Sequence, residues 1–289
     1  DAFRAGNRTR FGPETIPGTG SSFGVPTFAA IDSVSAAGPV MAFSVSFDRR
    51  KAGAWPVVLP GPVGGNHPAV ADLLPSSPGL EVVVVDTTGG VWVLAADGTQ
   101  PLGSPLARVG PDLATSPAIG DIDGDEKPEI VVVATDGAVY AWNGEDGSEV
   151  LDGDGDPATT GVWARAGRSL QGAVPVLARM WEPLELPPVG LSVIMGSPAD
   201  STGAGEILWL KQMGSAVAVR RVAVPGDATA PPLVFTGHDP ALVLASVVAA
   251  ARTRVFAVDL LAGTAGALAR AQRHQHTRAA SGLLSCSRS

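Results

Sequence analysis

Cysteine is nearly missing from this chain: the single one, Cys286, stands close to the C-terminus. Neither a disulfide framework nor a cysteine-based zinc site can be built from it. Lysine is scarce too, with Lys51, Lys127 and Lys211 the only three, and acidic residues outnumber basic ones 28 to 20 for a net charge of −8. With no basic stripe to neutralise phosphates, the composition argues against a nucleic-acid partner. No run of eighteen apolar residues occurs, so no membrane span is expected within the chain. The four histidines, at 67, 238, 274 and 276, fall in no nucleophile or zinc-ligand motif, and no catalytic constellation emerges. A body without thiols fits an extracytoplasmic bacterial protein, secreted, periplasmic or at the cell surface, and a cytosolic protein is the alternative. A chain that opens at Asp1, without Met or a signal peptide, is expected to be a processed or excised piece of a longer product.

Glycine and proline are plentiful instead, at 36 and 25 of 289 residues, and they punctuate many short apolar runs. That pattern predicts an all-β fold. Residues 116–150 contain its most complete unit. A short apolar strand over 117–120 leads into an acidic loop, then a β-branched run over 130–133. The Thr135-Asp136-Gly137 turn tolerates φ > 0 and predicts a hairpin with an alternating strand over 138–142. A fourth, weaker strand is expected after Glu145-Asp146-Gly147.

In the acidic loop Asp121, Asp123 and Asp125 occupy every second position, and Glu129 follows eight residues after the first. Hard oxygen ligands alternating along a tight loop can converge on one Ca²⁺, with the backbone carbonyl of Lys127 between Asp125 and Glu129. The competing reading is a solvated acidic turn. Glu126 stands at the sixth position, where glycine is usual, and would cost about 1 kcal/mol if its φ is positive.

Taken together, the Pro-Ala strand, the Asp-x-Asp-Gly-Asp loop and the hairpin resemble the FG-GAP-type repeat of integrin α-subunit propellers and bacterial secreted proteins. The resemblance implies one β-propeller blade, with Ca²⁺ held by the side chains of Asp121, Asp123, Asp125 and Glu129 and by the Lys127 carbonyl. It covers about one blade. Gly53-Ala54-Trp55-Pro56-Val57 also resembles the segment that precedes a new unit in such repeats.

Further units align on this one. His67-Pro68-Ala69-Val70-Ala71-Asp72 matches Ser116-Pro117-Ala118-Ile119-Gly120-Asp121, and Glu81 with its valine run matches Glu129 with its own. Leu73-Leu74-Pro75-Ser76-Ser77 replaces the aspartates there, so that unit is expected to close without metal. Strands are also expected over 23–28, 39–47, 173–177, 191–196, 206–210, 217–224, 232–235, 241–248 and 254–258, with a helix as the alternative for 241–251. The marker prolines Pro26, Pro68, Pro117, Pro175 and Pro232 are spaced by 42, 49, 58 and 57 residues, near the length of propeller repeats. The reading is one propeller domain of about five four-stranded blades, near 23–60, 61–110, 111–172, 173–226 and 227–270, with 271–289 as a peripheral tail.

Asp152, Asp154 and Asp156 form a second candidate metal loop, with Thr160 as a weak further ligand. Residues 151–172 are expected to connect two blades and to present Trp163, Arg165 and Arg168 on a ligand face, where an aromatic and two guanidiniums could grip an anionic glycan or a protein loop. Ordinary packing of an insertion is the competing reading.

The functional expectation is a non-enzymatic calcium-binding propeller used for binding, adhesion or assembly of a surface structure, with a protein or glycan partner or with itself. The alternative is an enzyme on the same scaffold, a polysaccharide lyase or a quinone-dependent dehydrogenase. Val139-Tyr140-Ala141-Trp142 followed by Asp146-Gly147 resembles the repeat of the latter class.

Overall fold

The computed structural model describes residues 10–11, 29–36, 38–47, 54–77, 79–109, 115–156, 159–180, 190–236, 242–260 and 262–267. The chain divides into two compact units, Asp1–Pro56 and Val57–Ser289. In the first, β1 (Ala29–Asp32) pairs antiparallel with β2 (Ser44–Phe47). Phe11 exchanges two backbone hydrogen bonds of 2.8 Å with Ile31, and Arg10 donates to Asp32 at 2.8 Å. The strand expected over 39–47 pairs only from Ser44 onward, and the one over 23–28 lies outside the described residues. A four-stranded blade is therefore not described here.

The second unit contains four four-stranded antiparallel sheets, each a simple meander. The first runs through β3 (Ala69–Ala71), β4 (Glu81–Val85), β5 (Gly90–Leu94) and β6 (Ala107–Arg108). The second has β7 (Ala118–Gly120), β8 (Glu129–Val133), β9 (Ala138–Asn143) and β10 (Val162–Arg165). In the third are β11 (Val176–Ala178), β12 (Ser192–Gly196), β13 (Gly205–Met213) and β14 (Ala216–Val224). β15 (Leu233–Phe235), β16 (Leu242–Ala249), β17 (Arg252–Asp259) and β18 (Thr264–Ala267) make the fourth. No helix occurs among the described residues, and none there is long and apolar enough to cross a membrane.

The β-branched runs are strands because they are buried on both faces. Side chains alternate along a strand. In β8, Ile130 and Val132 join a cluster with Val83, Val85, Val91 and Val93 of the first sheet, while Val131 and Val133 join one with Val193, Met195, Leu208 and Leu210 of the third. Ile194, Ile207 and Trp209 pack in turn against Val243, Ala245, Val247 and Phe256 of the fourth. Each apolar cluster thus lies between two successive sheets. The same packing decides residues 242–249 in favour of strand: alternate residues of β16 are buried in this cluster, which overrides the helix propensity of its alanines.

Tight turns close the meanders by one repeated device. The carboxylates of Asp86, Asp97, Asp146 and Asp200 each accept the N–H and the hydroxyl of the Ser or Thr two residues on.

Two placements differ from the sequence reading. After Glu145-Asp146-Gly147 only Glu149 makes an isolated bridge, to Trp142, and the fourth strand of the second sheet is β10, which pairs with β9 through Val162 and Tyr140. Residues 151–156 and 159–160 therefore precede the last strand of the same sheet and do not lead to the next one. Buried Val162, Trp163 and Ala164 give β10 an apolar face that the polar stretch after Gly147 lacks.

The first strands lie together: β7 is beside both β3 and β11. Two residues beyond each of these three strands an apolar side chain enters the cluster shared with the next sheet: Leu73, Ile122 and Met180. Replacing fully buried Ile122 by Ala should cost about 2–5 kcal/mol. Val70→Ala, at a side chain 55% exposed, should cost under about 0.5 kcal/mol. Paired urea melts measure both.

Candidate metal centre

The loop joining β7 to β8 is wound by its own aspartates. Asp121 accepts the Gly124 N–H at 2.5 Å and the Glu126 N–H at 3.2 Å. Asp123 accepts from Asp125 at 3.1 Å, and Asp125 from the Lys127 N–H at 2.8 Å. Two positive φ angles complete the coil, at Gly124 (89°) and at Glu126 (70°). Glycine adopts this conformation freely, whereas Glu126 carries the strain of about 1 kcal/mol expected of its Cβ.

The loop is also fixed from outside. Glu129, fully buried at the start of β8, accepts the Ile122 N–H at 2.7 Å through Oε2. The Asp121 carbonyl accepts the N–H of Leu191, next to the third sheet, at 2.6 Å. Gly190 (φ 69°) sits so close that a Cβ there would lie 2.4 Å from the Ile122 carbonyl.

Within this frame one carboxylate oxygen each of Asp121, Asp123 and Glu129 lies within 4.8 Å of the others, an arrangement that could hold a metal ion. Glu129 Oε1 is buried with no hydrogen-bond partner. Desolvation, set against the Ile122 hydrogen bond and reinforced by the charges of Asp123, Asp125 and Asp121, pushes the Glu129 carboxyl up to about 8. Asp123 is also raised, chiefly by desolvation.

Asp86 shows what the protein does with a buried carboxylate when donors are at hand. Burial by itself would raise it. Donors on Thr88, Gly90 and Trp92, at 2.6 to 3.1 Å, outweigh that and hold it below the usual range. Glu129 has one such donor and the charges of three aspartates against it, so a cation or a proton must supply the balance.

Of the five expected ligands, the structure brings together Asp121, Asp123 and Glu129. Asp125 stands outside the trio, 3.9 Å from the Lys127 ammonium, which is itself paired with Glu145 at 2.6 Å. Asp72 is exposed and belongs to no acidic group of this kind among the described residues.

One role escaped the sequence reading. Glu81, equivalent to Glu129, is fully buried and accepts the N–H groups of Leu73 and Leu74 at 2.8 and 3.2 Å. The glutamate therefore ties the loop to the sheet in a unit that lacks the loop aspartates. The signal was present in the alignment, since a ligand retained where its partners are gone needs another purpose. In the third sheet Ser192 pairs with Ala178 as Glu129 does with Gly120.

The second acidic loop is closed by other means. Asp154, expected to ligate metal, is bound by the Arg165 guanidinium at 2.8 Å and by the Thr159 hydroxyl. Arg165 holds the Asp154 carboxyl below its usual range. Asp152 accepts the Gly155 N–H at 2.7 Å and Asp154 the Asp156 N–H at 3.1 Å, so these carboxylates shape a turn. Thr160 is exposed, and Thr159 makes the contact instead.

The expected ligand face of Trp163, Arg165 and Arg168 is likewise corrected. Trp163 is fully buried between the second and third sheets and donates to Gln212 at 2.7 Å. Arg168 bonds the carbonyls of Pro198 and Ala204 and pairs with Glu206 at 3.1 Å, which fastens the second sheet to the third. Arg165 is committed to Asp154.

No protein-family model matches the chain, and no curated protein is similar to it.

The raised Glu129 gives a pH dependence of definite sign. Between about pH 4.5 and about 8 the folded, cation-free protein holds a proton there that the unfolded chain has released. Its stabilising effect is complete below that window and is lost as pH rises through it. Urea melts of chelator-treated protein should show lower stability at pH 8 than at pH 5, and Glu129→Gln should flatten the difference.

Proposed function

We propose that the four sheets are blades of a β-propeller of FG-GAP type, and that the protein is an extracytoplasmic binding module braced by one Ca²⁺ at Asp121, Asp123 and Glu129. The observation that carries this reading is the partnerless, buried Glu129 oxygen facing two aspartates in a loop hydrogen-bonded to the neighbouring sheet. Three carboxylates offset the charge of a divalent ion, and the remaining positions of a six- to eight-fold shell suit loop carbonyls and water. Ca²⁺ is favoured over Mg²⁺ because it takes six to eight oxygens, carboxylates and carbonyls among them, in flexible geometry, whereas Mg²⁺ demands near-octahedral geometry and usually keeps several waters.

In such a module the ion does no chemistry. It replaces mutual repulsion among carboxylates by attraction, and through the Asp121 carbonyl it stiffens the contact between the second and third blades. A rigid scaffold with connections of unequal length suits recognition of a protein or glycan partner, or of a further copy in a surface assembly.

Calorimetric titration of Ca²⁺ into chelator-stripped protein should reveal one site. Asp123→Asn and Glu129→Gln should each weaken it by at least about tenfold, roughly the loss of one charged ligand, and Asp154→Asn should leave it unchanged. A glycan and protein-capture screen with and without chelator, run beside polysaccharide-cleavage and alcohol-oxidation assays, tests the rest. Turnover of either substrate would overthrow the binding-module reading.

A further inference from the structure

The residues that immediately precede the marker prolines of the four sheets are His67, Ser116, Val174 and Pro231, and all four line one cavity of about 400 Å³. We propose that this cavity is a binding site for a small, neutral, polyhydroxylated ligand, of the chemical class of a monosaccharide unit. The inference rests on the reading of the protein as a binding module and names a ligand class for it.

Its lining carries the argument. The other contributors are the Gly64-Gly65-Asn66 turn and Thr87. Among the described residues that line it, none is Asp, Glu, Lys or Arg, in a chain that has 48 of them. A charged ligand would leave water here without a countercharge, which is costly, whereas a neutral one would not. The polar groups are an amide, two hydroxyls and an imidazole, which both donate and accept, as sugar hydroxyls do. The Ser116 hydroxyl already accepts the His67 N–H at 2.8 Å, so its own hydrogen is free to be donated elsewhere. Val174 and Pro231 add the apolar surface that the C–H side of a sugar ring requires.

The site is built before any ligand arrives. Each of its strand-leading residues is fixed by the first strand of a different sheet, and the Thr87 N–H is tied to the Pro62 carbonyl at 2.9 Å. The volume lies at the small end of the roughly 300–1,000 Å³ range of small-molecule sites, enough for one sugar unit and some water. Gly65 borders open space: a Cβ there would meet no atom within 4 Å, so a larger side chain has room at the edge of the cavity.

The test uses the full chain loaded with Ca²⁺, with glucose, galactose, mannose and N-acetylglucosamine as separate probes at constant ionic strength. The His67 ring resonances are followed by NMR. At least one sugar should shift them saturably. Asn66→Ala should weaken that response about tenfold, and Gly65→Leu, which fills the open space, should abolish it with an unchanged melting curve. If Gly65→Leu proves destabilised, Asn66→Ala and Ser116→Ala decide. Failure of all four sugars to shift His67, a response undiminished in these variants, or saturable binding of inorganic phosphate in their place would overturn the proposal. Because the Ca²⁺ titration reads Asp123 and Glu129 and involves no cavity residue, a failure here with calcium binding intact refutes only the ligand assignment.

Discussion

The central strands bury both of their faces, and most of the second unit follows from that requirement. A strand such as β8, with Ile130 and Val132 on one side and Val131 and Val133 on the other, cannot be stable in a sheet covered once. Burial of an aliphatic side chain of this size contributes about 1.5–3 kcal/mol, so leaving one face in water would forfeit several such terms. Successive sheets must therefore stack face to face. That explains antiparallel strands that read as unbroken apolar runs, a pattern more familiar from parallel sheets covered on both faces. It also explains why the first-strand loops matter, since the chain must leave each strand without opening the gap between two sheets. Leu73, Ile122 and Met180 fill that gap at equivalent positions.

Once an apolar side chain is drawn into the gap, the backbone beside it needs hydrogen-bond partners. Glu81 and Glu129 meet this need by accepting N–H groups from Leu73, Leu74 and Ile122. A buried carboxylate is a strong acceptor and also a liability, because its second oxygen is left to be satisfied. The first sheet carries that liability alone. In the second, aspartates from the same loop gather around it, and the arrangement that holds the chain becomes one that could hold a cation. The candidate metal centre is thus an elaboration of a structural tie.

Much of the fold was legible because its signals are local. The Thr135-Asp136-Gly137 turn, with Gly137 at φ 95°, and the valine run before it fix a hairpin within a dozen residues. The acidic trio was legible for the same reason, since its members lie within nine residues, two in the loop and Glu129 at the start of β8. What escaped depended on residues far apart in the chain. Asp125 leaves the trio for an ammonium whose own partner, Glu145, is eighteen residues beyond Lys127. Asp154 meets Arg165 because β10 returns to β9, and that return was hidden by the acidic excursion before it. Trp163 is in the core because it packs against Leu208 and Leu210 of the third sheet, where Gln212, forty-nine residues away, also accepts its indole N–H. β18, whose Thr-Ala-Gly-Ala segment carries little strand propensity, exists by pairing with β17.

The contrast among the three acidic sites shows why alternating aspartates are an incomplete sign of metal. Each of the loops at Asp121, Asp152 and Asp86 spends carboxylate oxygens on nearby backbone N–H groups, so the turn geometry is common to all. They differ in what neutralises the remaining charge. Asp86 has an indole and a hydroxyl, and Asp154 has a guanidinium. Among the described residues, only the loop at Asp121 presses its aspartates against a buried carboxylate, which desolvation first and the charges of those aspartates second push up to about 8. Lys127 could in principle have countered those charges, but Glu145 draws its ammonium outward. Electrostatic need thus separates a loop that wants a cation from loops that merely turn.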